Sequence, residues 1–153
     1  MSILEGKVVL ITGGTKGIGY GIAEALLNQG FKVAITGRDQ ESTEAVAKEL
    51  ASKTNSENQV IGLEADVRQL ESQEKAVKAT LDTFGQLDLV VANAGLGHFG
   101  SIEDLTVDQW NAVIDTNLTG VFNSIKASVD ALKDSKGYYI TISSLAGTNF
   151  FAG

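Results

Sequence analysis

The chain contains no cysteine and no proline among its 153 residues. Without cysteine it holds no disulfide, no thiolate metal site and no cysteine nucleophile, so redox chemistry would need a bound cofactor. No run of about 18 apolar residues occurs, and the sequence therefore predicts no membrane-spanning helix. The lack of proline is unusual, because average proline usage is about 5%.

Basic residues are outnumbered, with 12 Lys and Arg against 19 Asp and Glu, a net charge of -7. Binding to nucleic acid needs a basic face that releases counterions, so no nucleic-acid partner is expected. The first residues carry Glu5 and Gly6 before only a short apolar run, and we expect a cytoplasmic chain with no membrane partner. No metal site is predicted.

Short apolar segments rich in β-branched residues predict strands. Their nearly continuous apolar character is typical of parallel strands covered on both faces. The predicted strands are residues 8–12, 32–36, 59–63, 87–92 and 138–142.

Apolar residues recur with helical spacing between these strands. The first helix is expected to end at Gly30 and the third at Gly85, because glycine favours the left-handed conformation that ends a helix. A long fourth helix begins with a capping box of Thr106 and Gln109 and runs through Leu132. The polar stretch 51–58 predicts a surface loop before the third strand.

Strict β-α-β-α order indicates an α/β fold: a Rossmann-like, doubly wound parallel sheet with helices on both faces and right-handed crossovers. We expect one dinucleotide-binding domain over residues 1–153. The first strand leads into a glycine-rich turn, Thr12-Gly13-Gly14-Thr15-Lys16-Gly17-Ile18-Gly19, and then into a helix. A glycine turn at a helix N-terminus is suited to a pyrophosphate, although glycines alone also make ordinary tight turns.

The glycine spacing reads T-G-x-x-x-G-x-G and resembles that of the short-chain dehydrogenase/reductase family. Further motifs of the family appear in order along the whole chain. They are Asp66-Val67, Asn93-Ala94-Gly95, Asn117-Leu118-Thr119-Gly120 and Ile142-Ser143-Ser144. A methyltransferase would also place a glycine turn after its first strand, but it usually has an acidic residue after the second strand. This chain has Gly37-Arg38 there.

The resemblance implies NADP(H) as cofactor. A carboxylate after the second strand would repel the phosphate on the adenosine ribose, whereas the planar fork of Arg38 suits it. Lys16 supplies a second cation. As an alternative, Asp39 could pair with Arg38 on the surface.

By the same resemblance, Asp66 would bind the adenine and the backbone of Val67 would flank it. An ordinary helix cap or loop carboxylate is the alternative for Asp66, and a tie between the first and fourth strands is the alternative for Asn93. The predicted cofactor-binding residues are Gly13, Thr15, Lys16, Gly17, Ile18, Gly19, Arg38, Asp66, Val67, Asn93, Ala94 and Gly95.

Asn117 and Ser144 are the predicted catalytic residues. Asn117 shares a helical stripe with Trp110 and Ile114, so we expect it to be buried, either as a satisfied core amide or, as the family implies, holding a water in a proton relay. Gly120 would permit close packing nearby. Ser144 ends the fifth strand, where ligands bind in α/β sheets, and by resemblance it would polarise a substrate carbonyl.

The family's Tyr-x-x-x-Lys pair does not occur in this sequence and is expected beyond Gly153. We therefore expect the fold to be incomplete at its C-terminal side, with the fifth strand and the long helix left partly uncovered. The expected function of the parent protein is NADP(H)-dependent hydride transfer between nicotinamide and a carbonyl or alcohol substrate, in a homodimer or homotetramer. A non-catalytic NADP(H)-binding sensor or scaffold is the alternative.

Overall fold

The structure, a computed structural model, describes residues 4–149. Its strands are β1 (Val8–Ile11), β2 (Lys32–Gly37), β3 (Val60–Glu64), β4 (Leu89–Ala92) and β5 (Tyr138–Thr141). Its α-helices are α1 (Gly17–Leu27), α2 (Gln40–Thr54), α3 (Leu70–Phe84), α4 (Val107–Ile114) and α5 (Gly120–Ser135). A π-helical turn (Asp115–Thr119) joins α4 to α5, and a 3-10 turn (Leu145–Gly147) follows β5.

The strands form one parallel sheet in the order β3-β2-β1-β4-β5. The predicted α/β fold with a parallel sheet is therefore confirmed. Successive strands run outward from β1 to β3, and the chain then crosses back to place β4 on the other side of β1. In such sheets, ligands bind beyond the carboxyl ends of the strands at the point where the order reverses.

Helices cover both faces of the sheet, as the apolar strands require. On one face, α1 and α2 pack through residues such as Leu27 and Leu50, and on the other, α3 and α5 pack through Val77 and Leu132. Alternate strand residues serve the two faces. The first core contains Val9, Ile11, Val33 and Ile35, and the second contains Val8, Leu10, Ala34 and Val90.

The predicted loop at residues 51–58 is wrong in its first half, because α2 continues to Thr54. The Thr54 hydroxyl donates to the carbonyl of Leu50, at 2.8 Å, and Asn55 then ends the helix in the left-handed conformation, with φ 51°. Polar residues here form the solvent-facing last turn of an amphipathic helix.

The predicted long fourth helix is interrupted by the π turn. The capping box is confirmed: the Thr106 hydroxyl accepts from the Gln109 N–H, and the Gln109 side chain accepts from the Thr106 N–H. A π turn carries one residue more than an α turn and shifts the faces of the residues in it. Asn117 lies in this turn and is exposed, so its predicted burial is wrong.

The uncovered surface expected on the long helix and the fifth strand is present. Trp110 is 59% exposed, Phe122 57% and Tyr138 75%. Within residues 4–149, no helix is long and apolar enough to cross a bilayer.

Gly120 begins α5 against the loop that follows β3. A Cβ added at Gly120 would lie 2.6 Å from Cγ2 and 3.0 Å from Cβ of Val67. Val67 is buried and its branched side chain is stiff, so it cannot easily move aside. The predicted close packing at Gly120 is therefore present, and its partner is Val67.

A matched pair of helical glycines tests this packing. We predict that Gly120→Ala lowers the free energy of unfolding by up to about 2 kcal/mol, because overpacking costs about 1–3 kcal/mol and a helix-propensity gain of about 1 kcal/mol offsets only part of it. Gly21→Ala, where nothing lies within 4 Å of the added Cβ, should stabilise the chain by about 0.5–1 kcal/mol. Urea unfolding midpoints measure both, and an equal change in the two variants would contradict the contact.

Candidate functional site

A groove of about 490 Å³ lies beyond the carboxyl ends of the strands. It occupies the point where the strand order reverses between β1 and β4, the expected ligand position for this sheet. Every residue predicted to bind the cofactor lines this groove except Gly19. Neither predicted catalytic residue, Asn117 or Ser144, is part of its lining.

The glycine turn between β1 and α1 forms one wall. Gly13 and Gly17 adopt positive φ angles of 65° and 57°, a conformation that favours glycine. A Cβ at Gly13 would lie 2.9 Å from the Cα of Ala94, whereas nothing lies within 4 Å of one at Gly17. Gly13 therefore brings the turn against the β4 loop, and Gly17 leaves open space for a ligand.

Gly19 lies behind the groove wall. It is buried, and an added Cβ would lie 2.5 Å from both Nδ2 of Asn93 and the carbonyl oxygen of Gly13. Its place in the motif is thus explained by close packing of α1 onto the strand ends.

The N-terminus of α1 opens into the groove without a side-chain cap. Lys16 occupies the cap position in an extended conformation, and its side chain accepts no hydrogen bond from the helix. By contrast, the Asp39 carboxylate caps α2 and accepts from the Ser42 N–H. The backbone amides at the start of α1 can therefore bind an anion. Because the turn is rich in glycine, the anion can approach the backbone closely, and a pyrophosphate fits such a site.

Thr12 and Asn93 tie the ends of β1 and β4 together. The buried Thr12 hydroxyl accepts from the backbone N–H groups of Asn93 and Ala94, each at 3.0 Å. The Asn93 amide donates back to the carbonyls of Thr12 and Gly13, also at 3.0 Å. The structural role considered for Asn93 is therefore present.

Arg38 lines the groove just after β2, and its side chain has no ion-pair partner among residues 4–149. The alternative pairing with Asp39 is absent, because that carboxylate caps α2 instead. Hydrogen bonds from Ser42 lower the pKa of Asp39. Because Asp39 is occupied in this way, the guanidinium N–H groups of Arg38 remain available at the rim of the groove.

Asp66 and Arg68 form a bidentate ion pair in the opposite wall. Arg68 Nε lies 3.0 Å from both carboxylate oxygens, and Nη2 lies 2.5 Å from Oδ2. The Arg68 backbone N–H also donates to Oδ1, at 3.0 Å. Hydrogen bonding from the Arg68 side chain is the main cause of a lowered Asp66 pKa, and the charge of Arg38 contributes.

Val67, between these two residues, is buried, and its carbonyl accepts from Nδ2 of Asn123 at 2.9 Å. This bond and the contact with Gly120 hold the wall to α5.

Asn117 lies beside the loop that follows β4. Its Oδ1 accepts from the Leu96 N–H at 2.9 Å, and its Nδ2 donates to the Leu96 carbonyl at 2.8 Å. The π turn therefore turns this amide toward Leu96, a residue that lines the groove.

Ser144 follows β5 and is exposed at the start of the 3-10 turn. Its Oγ accepts from the Ala146 N–H at 3.1 Å. Because a hydroxyl has one donor and two acceptor positions, its own O–H remains able to donate outward.

Comparison with known proteins agrees with this geometry. The profile of the short chain dehydrogenase family matches residues 7–153. The chain belongs to this family.

Among curated relatives, an uncharacterised oxidoreductase of Staphylococcus saprophyticus is 39% identical over 94% of this chain. The peroxisomal 2,4-dienoyl-CoA reductase of Saccharomyces cerevisiae is 38% identical over 92%. The chain spans 61% and 49% of the lengths of these two relatives.

Two solved structures of oxidoreductases share the fold of this chain, each with a TM-score of 0.87. One is an alcohol dehydrogenase from the archaeon Thermococcus sibiricus complexed with 5-hydroxy-NADP. It is 36% identical to this chain, and the match covers 95% of this chain and 61% of the alcohol dehydrogenase. The other is a 3-ketoacyl-(acyl-carrier-protein) reductase from Brucella melitensis complexed with NADH. It is 29% identical to this chain, and the match covers 95% of this chain and 60% of the reductase.

Sequence reasoning missed several residues that line the groove: Gly37, Ala65, Arg68, Leu96 and Thr116. One signal was available for Arg68, a cation two residues after a motif carboxylate. Leu96 and Thr116 are brought to the groove by the β4 loop and the π turn, which no local pattern predicted.

Two buried threonines at strand ends provide a matched test of the tie between β1 and β4. Thr12→Val leaves the N–H groups of Asn93 and Ala94 without their acceptor, so we predict a loss of about 2 kcal/mol in unfolding free energy. Thr36→Val should be neutral or stabilising, because the buried Thr36 hydroxyl has no partner among residues 4–149. Chemical denaturation compares them, and equal costs would show that the tie carries no special stability.

Proposed function

We propose that this chain is the dinucleotide-binding domain, residues 1–153, of an NADP(H)-dependent oxidoreductase that acts on a carbonyl or alcohol. The observation that carries the cofactor assignment is Arg38, which has no ion-pair partner among residues 4–149. It lies at the rim of a groove that includes the N-terminus of α1, where no side chain caps the helix. Family membership supports the reaction class.

The groove residues would divide the cofactor between them. The backbone of Gly13 and the amides from Thr15 to Ile18 would bind the pyrophosphate, and Arg38 with Lys16 would bind the phosphate on the adenosine ribose. Gly19 would act by closing α1 onto the sheet.

The remaining cofactor residues lie across the groove. Asp66 and Val67 would take the adenine, while Asn93, Ala94 and Gly95 would line the inner end. The alcohol dehydrogenase of Thermococcus sibiricus is complexed with 5-hydroxy-NADP and the reductase of Brucella melitensis with NADH, which supports a nicotinamide cofactor for this chain.

When bound, the nicotinamide would supply or accept the hydride. Ser144 would donate its outward O–H to the substrate carbonyl oxygen and stabilise the negative charge that develops there. Asn117, held by the Leu96 backbone, would hold a water for proton transfer. In the parent protein, the tyrosine of the family's Tyr-x-x-x-Lys pair would exchange the proton with the substrate, and the lysine would lower the pKa of that tyrosine.

A non-catalytic sensor or scaffold needs neither an outward serine hydroxyl nor the Asn117 arrangement, and it remains an outcome of the test. A cytoplasmic location and a homodimer or homotetramer are further predictions from the family resemblance.

The cofactor preference is tested by binding of NADPH and NADH, followed by fluorescence, in the longest form of the protein that its gene encodes. We predict preferential binding of NADPH. Arg38→Asp should weaken NADPH binding by about 10- to 100-fold, since it removes charge-assisted hydrogen bonds and adds repulsion, and should change NADH binding by less than about threefold.

Lys48→Asp makes the same change of charge on the exposed face of α2 and serves as the control. Equal binding of both cofactors by the wild type would overturn the NADP(H) assignment. No binding of either by a folded protein would favour a role without nicotinamide chemistry.

A further inference from the structure

Arg68 lies in the groove wall without any assigned role. Its side chain is 45% exposed, and the Asp66 side chain with which it pairs is 19% exposed. Both line the groove. An ordinary surface ion pair contributes little to stability, but a bidentate one also fixes geometry.

The backbone around this pair is fixed from several sides. The Asp66 N–H donates to the Ser72 hydroxyl at 3.0 Å, and the Asp66 carbonyl accepts from the Gln69 N–H at 3.1 Å. The next carbonyl, of Val67, is bound by Asn123. The remaining freedom of the Asp66 carboxylate is therefore rotation of its own side chain, which the Arg68 fork restrains.

The fork leaves the carboxylate able to accept one more hydrogen bond. Three Arg68 groups donate to it: the backbone N–H, Nε, shared between both oxygens, and Nη2. An ionised carboxylate has about four lone-pair positions. These three N–H groups make four contacts because the single Nε hydrogen is shared between the two oxygens. When Nε bonds to one oxygen alone, one acceptor position is open to a donor that enters the groove.

We infer that Arg68 is a positioning residue for base recognition: it holds the Asp66 carboxylate in the one orientation that accepts a hydrogen bond from the exocyclic amino group of adenine. Because this inference rests on the proposed function, its experiment must separate the failure of one from the failure of the other.

The charged groups around the carboxylate agree with this role. Arg68 and Arg38 both lower the pKa of Asp66. The hydrogen bonds to Asp66 are in turn the main cause of a raised Arg68 pKa, and the charge of Asp115, in the π turn, adds to it. Asp66 therefore stays ionised, and able to accept, to a lower pH than an isolated aspartate.

The experiment compares NADP⁺ with its hypoxanthine analogue, which carries a carbonyl oxygen where adenine carries the amino group. Isothermal titration calorimetry gives both affinities for the wild type, Arg68→Ala, Asp66→Ala and the double variant. Lys75→Ala removes an exposed ion pair with Glu71 on α3 and is the matched control.

The wild type and Lys75→Ala should prefer NADP⁺ by roughly tenfold, the worth of one charge-assisted hydrogen bond. Arg68→Ala should reduce this preference to within about threefold. In the Asp66→Ala background, Arg68→Ala should have no further effect on the preference, because Arg68 acts through Asp66.

The pH profile adds a readout that a general structural role would not change. Asp66 has a depressed pKa, so its carboxylate acceptor is present above that pKa and is lost as pH falls through it. Without Arg68 the pKa rises toward its ordinary value, and the loss of NADP⁺ affinity on acidification should begin at a higher pH than in the wild type.

Each contrary result overturns one stated claim. Full preference for NADP⁺ in Arg68→Ala, or an effect of Arg68→Ala that persists without Asp66, would overturn the positioning role and leave the proposed function intact. Equal binding of both analogues by the wild type would overturn recognition through Asp66. A folded wild type that binds neither would overturn the proposed function and this inference together.

Discussion

The hydrogen bonds between Thr12 and the start of the β4 loop are the constraint on which the groove depends. One hydroxyl accepts two backbone N–H groups, and the Asn93 amide donates two bonds back. These bonds hold β1 and β4 together beyond the last paired residues of the sheet. The glycine turn follows β1, and the inner wall of the groove follows β4. The distance between the ends of these two strands therefore sets the width of the groove.

Local charge in the groove is opposite in sign to the charge of the whole chain. The net charge is -7, yet Lys16 and Arg38 line the groove without ion-pair partners among residues 4–149. Arg68 neutralises Asp66, the acidic residue in the groove lining. A cationic groove on an acidic protein favours a polyanionic small molecule and disfavours nonspecific binding to nucleic acid.

The parts that sequence reasoning predicted correctly have a local cause. Apolar runs predicted the strands to within two residues at each end, because a strand covered on both faces must be apolar throughout. Glycine spacing predicted the turn, since only glycine tolerates both the φ angle and the close approach to Ala94 seen at Gly13.

The parts that it missed depend on contacts between distant residues. The π turn at Asn117 could not be predicted from helical periodicity, which instead indicated a buried amide. The sequence placed Thr12 at the end of a strand and gave no sign of what its hydroxyl does. That hydroxyl accepts hydrogen bonds from backbone N–H groups about 80 positions further along the chain. For Arg68 the sequence offered only a cation two residues after a motif carboxylate, and the bidentate geometry of its pair with Asp66 depends on side-chain orientations that no sequence pattern shows.

Hydrogen–deuterium exchange of the backbone amides, with and without NADP⁺, tests the location of the nucleotide most directly. We expect protection in the glycine turn from Gly13 to Gly19 and around Val67. We expect no change in the second groove, of about 720 Å³, between α2 and β3 and including Lys48 and Val60. Protection of that second groove with no change in the glycine turn would contradict the proposed site.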